Sequence, residues 1–181
     1  MYCDRRYFLK MGAQAAVSAL FPLSAMASIN RSFIPERRLS FYNTHTDEGL
    51  DVCYYSQGRY HPKALKEIDY ILRDHYSHKI KPIHKGLLDL LHAISVTIGD
   101  GPQFHIISGY RTVETNTMLR RKSKAVAKKS LHIQGKAVDI RIPRCDTKRL
   151  SKICKRMHAG GVGYYPESDF VHVDTGDVRF W

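Results

Sequence analysis

The chain has 181 residues, of which 43% are hydrophobic, and its 29 Lys and Arg outweigh 17 Asp and Glu to give a formal net charge of +12. That length suits one domain with its own core. Basicity of this size steers a protein toward polyanions: nucleic acid, an anionic membrane surface or an anionic cell wall.

The opening residues predict a targeting segment rather than a part of the fold. Arg5-Arg6-Tyr7-Phe8-Leu9-Lys10 precedes a mildly apolar run that closes with Ala25-Met26-Ala27. A charged start, a short apolar middle and a small-x-small end describe a secretory signal over residues 1–27. The run carries Gln14 and Pro22 and is too short to span a bilayer, which takes about 20 apolar residues. Paired arginines ahead of Phe-Leu-Lys match a twin-arginine address, so export to the periplasm is expected, whether the signal is cleaved or kept as a tether. Removing it takes away three basic residues and one acidic, so +12 becomes +10. An exported protein meets little nucleic acid, and an anionic cell wall or membrane surface is the expected polyanion. Cys53, Cys145 and Cys154 remain, an odd number without a Cys-x-x-Cys pair, so neither a thiolate zinc site nor a fully paired disulfide set follows. A Cys145–Cys154 bridge and free thiols both stay open.

Residues 28–38 read as a basic lead-in, and the domain is expected over 39–181. Alternation at 39–45 and 51–55 around Asp47-Glu48-Gly49 predicts a hairpin. Pro62 opens a helix with Leu65, Ile68, Ile71 and Leu72 on one face. Leu87, Leu90, Leu91, Ile94 and Ile98 mark a second helix ending at Gly99. A buried strand at 104–107, a short helix over 114–121, a basic loop through Lys129 and a strand at 137–142 follow. Asp146 caps a helix whose Leu150, Ile153, Cys154 and Met157 face inward, and short strands at 162–165 and 170–174 complete the pattern. Helices largely first and strands largely last predict an α+β fold with a central antiparallel sheet and flanking helices.

The densest chemistry lies in Ser130-Leu131-His132-Ile133-Gln134-Gly135-Lys136-Ala137-Val138-Asp139. Gly135 lets the chain reverse between loop and strand, so that an imidazole and a carboxylate can converge. Alternation sends Val138 and Ile140 to the core and Asp139 to the other side. In Phe170-Val171-His172-Val173-Asp174 the valines likewise face the core, and His172 and Asp174 share the opposite face. Two nitrogens and a carboxylate oxygen are donors that zinc accepts, with an open fourth position in catalytic sites.

The run Ser-x-His-x-x-Gly-x-Ala-x-Asp at 130–139 resembles the signature of the zinc DD-peptidases, whose fold is shared with the amino-terminal signalling domain of hedgehog proteins. Ser108-Gly109-Tyr110-Arg111, Thr115-Asn116, the 125–130 loop, Gly160 to Pro166, and Phe170 to Gly176 with Arg179 and Trp181 extend the likeness to the murein endopeptidase group. The resemblance implies a hedgehog/DD-peptidase-like fold, Zn2+ held by His132, Asp139 and His172, and hydrolysis of cross-links between peptidoglycan stem peptides by a monomer. It implies that Arg111 lies beside the metal, to hold a substrate carboxylate or stabilise an oxyanion. The general base falls to Asp169, three residues before the second histidine, or to Asp174, its neighbour on the strand face. Ser130 either bonds substrate or ends the loop, and Lys124, Lys128 and Lys129 are either substrate contacts or a solvated loop. His45, His61, His75, His78, His84, His92, His105 and His158 are read as loop, helix-face or core residues. A zinc-stabilised wall-binding module without turnover is the second reading.

Overall fold

The computed structural model describes residues 36–99, 101–124 and 126–181, and the expected signal and most of the lead-in lie outside them. Along the chain run β1 (Arg37–Asn43), β2 (Gly49–Ser56), β3 (Arg59–Tyr60), α1 (Pro62–Ile71), α2 (Lys85–Ile98), β4 (Gln103–Ser108) and α3 (Val113–Lys122). A 3-10 turn (Leu131–Gln134), β5 (Ala137–Arg141), α4 (Thr147–Arg156), β6 (Gly161–Tyr165), β7 (Phe170–Asp174) and β8 (Arg179–Phe180) follow. The α+β class holds.

Eight strands form one sheet in the order β3-β2-β1-β4-β5-β7-β6-β8. The sheet is mixed rather than wholly antiparallel, because β1/β4 and β6/β8 pair in parallel. The physical reason for the first is the α1–α2 crossover: the chain leaves β3, which runs the same way as β1, and two helices carry it back so that β4 enters beside β1 in that direction. Local alternation is the same in both kinds of pairing, so the residue pattern does not distinguish them.

One face of the sheet carries the core. Leu39 and Phe41, Phe104 and Ile106, Val138 and Ile140, and Val171 and Val173 are all but inaccessible, and Ile68, Leu87, Leu91, Ile94 and Leu150 of the helices pack on them. Helix ends are closed locally: Asp146 accepts from the Arg149 amide at 2.9 Å, and Thr112 from the Thr115 amide at 3.1 Å. Pro62 occupies the first turn of α1, where its missing N–H costs nothing. Cys53, Cys145 and Cys154 are free thiols, with Cys154 buried and pushed up to about 12 by that burial. With valines and leucines consuming one face, the alternate positions of β5 and β7 are left for the other.

Candidate metal centre and its cleft

His132 sits on the 3-10 turn, and the turn is shaped at both ends. The Ser130 hydroxyl accepts from the His132 amide at 3.4 Å, and Gly135 closes the turn in the left-handed conformation at φ +66°. A side chain at Gly135 would also meet the Pro82 carbonyl oxygen at 2.7 Å, so glycine is required twice over. From there the chain enters β5, where Asp139 is the direct cross-strand partner of His172 on β7.

The tautomers of both rings follow from their outer partners. His132 Nδ1 lies 2.7 Å from the Gly109 carbonyl oxygen. A carbonyl only accepts, so Nδ1 carries the proton and Nε2 is bare. His172 Nε2 lies 3.0 Å from the Asp174 carboxylate, so with a metal cation at the centre Nδ1 is the bare nitrogen. The two bare nitrogens are 3.2 Å apart, and Asp139 Oδ1 is 2.8 Å from His172 Nδ1 and 3.2 Å from His132 Nε2. Three lone-pair atoms crowded together call for a cation among them. The edge of a tetrahedron of zinc ligands is about 3.3 Å for bonds near 2.05 Å, close to these separations. The donor set therefore fits zinc, and His132, Asp139 and His172 are the one such cluster found among the described residues.

The protonation behaviour agrees. Burial alone would depress the His172 imidazole, but the Asp139 and Asp174 carboxylates outweigh it and raise it to about 9. His132 moves down instead, through burial aided by Arg111 and His172. Burial would raise the Asp139 carboxyl, yet the two imidazoles and Arg111 hold it well below the usual carboxylate range. Without a metal the cluster thus keeps one proton as its cation, and a divalent ion would displace it.

Around the triad lies an open cleft of about 510 Å3 whose lining includes Arg111, Lys129, Ser130, Tyr165, Phe170, Arg179 and Trp181. Arg111 is mostly buried, pairs through Nη2 with Asp139 Oδ2, and donates from Nε to the Ser108 hydroxyl at 2.6 Å. Ser130 reaches the cleft but also caps the turn under His132. Lys124 and Lys128 are exposed and lie outside the lining, and Lys129 lies in it.

The two candidate bases occupy quite different places. Asp169 turns away from the triad: Thr147 of α4 donates to it, Arg141 stands 3.6 Å off, and it borders a separate pocket with His105 and Arg144. Asp169 precedes β7 in a left-handed turn (φ +50°), so its direction is set by that turn and by its bond to Thr147 rather than by strand alternation. In this geometry Asp169 borders that second pocket and is not among the residues lining the cleft. Asp174 is fully buried behind His172, and its two oxygens are occupied by His172, Arg179 and the Gly161 and Gly176 amides. Burial would raise its carboxyl, and these donors, His172 foremost, lower it below the ordinary value. It touches the ring nitrogen opposite the bare one, so it orients the histidine rather than facing the cleft. Apart from Asp139, no carboxylate lines the cleft among the described residues.

Residue patterns missed the Gly109 carbonyl, which sets the His132 tautomer, and the side chains of Tyr165 and Trp181. Backbone groups leave no mark in a sequence, and Trp181 reaches the site only because β8 pairs with β6.

Residues 32–181 match the family described as peptidoglycan L,D-endopeptidase MepK. The chain belongs to that family. It is 38% identical over 178 residues to the peptidoglycan L,D-endopeptidase MepK of Escherichia coli strain K12, covering 98% of this chain and 97% of the relative. It is 35% identical over 179 residues to the probable peptidoglycan L,D-endopeptidase MepK of Haemophilus influenzae, covering 98% and 95%. The MepK family match begins at residue 32 and takes in every residue of the triad and its cleft. Membership makes the protein a metal-dependent peptidase.

Proposed function

We propose that the protein is a zinc-dependent peptidoglycan endopeptidase that hydrolyses peptide cross-links between stem peptides, in the periplasm, after export by the twin-arginine route. The observation that carries this reading is the convergence of two bare imidazole nitrogens and a carboxylate oxygen at the floor of an open cleft. The relatives in the MepK family supply the substrate class by their names. No helix among the described residues is long and apolar enough to cross a membrane, which suits an exported protein.

His132, Asp139 and His172 would hold the zinc ion, which when bound supplies a Lewis acid for a scissile carbonyl and a water of lowered pKa. Gly109 and Asp174 fix the two ring tautomers, an arrangement that keeps ligand nitrogens basic and aimed. Arg111 braces Asp139 with Nη2, and its fork leaves Nη1 for a substrate carboxylate or developing oxyanion. Among the described residues Lys129, Arg111 and Arg179 line the cleft, and with Arg111 paired to Asp139 and Arg179 to Asp174 the Lys129 ammonium leaves it a positive balance that suits an acidic peptide.

The other reading, a zinc-stabilised wall-binding module without turnover, is not favoured by the family match. The relatives are named as endopeptidases, which weighs against it. Digestion of purified sacculi with and without a zinc chelator, followed by mass analysis of the soluble products, decides the matter. Chelator-sensitive release of cleaved cross-links is expected. Tight binding to sacculi with no product at all would establish the binding module instead.

A further inference from the structure

Tyr165, Phe170 and Trp181 form an aromatic wall beside the metal ligands, and its construction is specific. The backbone of Trp181 is tied to β6 on both sides, donating to the Val162 carbonyl at 3.2 Å and accepting from the Tyr164 amide at 3.0 Å. Its indole lies on Gly163, where a Cβ would stand 2.6 Å from ring carbon Cε2, and Gly163 is itself the cross-strand partner of His172. The indole Nε1 donates to the Tyr165 hydroxyl at 2.8 Å. Tyr165 stacks on Phe170 with ring centroids 4.5 Å apart and planes at 19°. The indole also stands 5.4 Å from the His172 ring, and the Arg179 guanidinium lies 5.3 Å from the indole centroid.

For all these anchors Trp181 remains 48% exposed, and the three rings line the same cleft as Arg111, Lys129 and the triad. A large apolar ring that is fixed in place yet left open to water marks a surface prepared for a ligand. The ligand must bring aliphatic carbon close to the reacting bond and carry negative charge for the neighbouring cations. Resting on the endopeptidase reading, the chemistry of a cross-link meets both needs. Stem peptides are joined through the side chain of a diamino acid, which places a run of methylenes next to the scissile amide and carboxylates around it.

We infer that the Trp181–Tyr165–Phe170 wall is the subsite that packs the methylene chain of the cross-linking diamino acid, with Trp181 positioning the substrate against the metal centre. Burial of two or three methylenes against the indole corresponds to a contribution of about tenfold or more in substrate affinity.

Trp181 is the sole tryptophan of the chain, so its emission reports on this wall alone. Metal-stripped protein is titrated with a purified cross-linked muropeptide dimer, and emission is expected to shift and saturate, with the uncross-linked monomer giving a weaker response. In the zinc-loaded protein, Trp181→Ala is expected to raise KM for the dimer about tenfold with kcat within about twofold and bound zinc unchanged, and Trp181→Phe to restore most of the loss. Emission indifferent to the dimer, or an unchanged KM in Trp181→Ala, overturns the subsite. So does a variant that loses zinc and kcat together, since Trp181 would then merely support His172. If the wild-type protein cleaves no dimer, the endopeptidase reading fails by itself, and the emission titration still decides whether the wall binds a cross-link.

Discussion

Replacing Asp174 with Asn tests the claim that this buried carboxylate sets the metal-binding nitrogen of His172. Asp174 Oδ2 accepts from His172 Nε2 at 3.0 Å and Arg179 Nη2 at 2.7 Å, while Oδ1 accepts from the Gly161 and Gly176 amides at 3.0 and 2.8 Å. An amide has one acceptor oxygen, so in either orientation its NH2 group confronts donors. If the NH2 replaces Oδ2, His172 must bare Nε2 and protonate Nδ1, which removes the lone pair meant for the metal. If it replaces Oδ1, two backbone N–H groups lose their acceptor. Losing such an orienting carboxylate typically weakens metal affinity by about 10–100-fold. Breaking the pair with Arg179 adds a stability loss of about 2–3 kcal/mol, below the 3–5 typical of a fully buried pair because Arg179 is 44% exposed. In a domain of this size that corresponds to a fall of about 5–10 °C in Tm. Zinc affinity is read by competition with a chromophoric chelator, and Tm by thermal unfolding with and without zinc. A variant that loses stability but keeps wild-type zinc affinity would refute the tautomer argument and reduce Asp174 to a structural anchor.

The converse substitution, Asp169→Asn, is expected to leave zinc affinity unchanged and cleavage of muropeptide dimers within about twofold of wild type; a hundredfold loss in kcat would restore Asp169 to the role of base. Gly109→Ala should lower zinc affinity at least as much as it lowers Tm, because a Cβ there collides with the backbone of Leu72 and displaces the carbonyl that holds His132; retention of wild-type zinc affinity in the folded variant would count against that carbonyl. The His75 imidazole, stacked on His45 with ring centroids 3.8 Å apart, is pushed down to about 4 by burial and by His45. Its folded value lies below the unfolded one of about 6.5, so it contributes nothing above neutrality, and stability falls on acidification between those two pH values as the unfolded chain takes the proton first. The ring is half-buried, so the loss is about 1–2 kcal/mol. His75→Gln should flatten urea midpoints measured from pH 7 to pH 4, and an unaltered slope would dismiss His75 as the source.

How far the site was legible depended on whether a feature is local. Asp139 and His172 were legible because each sits at an alternate position of a strand whose other positions are valine or isoleucine, and burial of those leaves only one face for the polar side chain. Gly135 was legible for a similar reason, since a reversal between His132 and the strand demands a residue free to take positive φ. The register that sets Asp139 directly opposite His172 was not, because it depends on β7 inserting between β5 and β6. Nor were the parallel pairings, nor the placement of Trp181, which rests on a two-residue strand too short to show a pattern. Asp169 is the instructive case. An offset of three from His172 returns to the same face when the residues are helical. On a strand the same spacing points to the opposite side, but β7 begins only at Phe170, and Asp169 stands before it in a left-handed turn (φ +50°) that residue patterns do not foretell. The direction of Asp169 was therefore not legible from periodicity, and the cleft has Asp139 as its only lining carboxylate among the described residues.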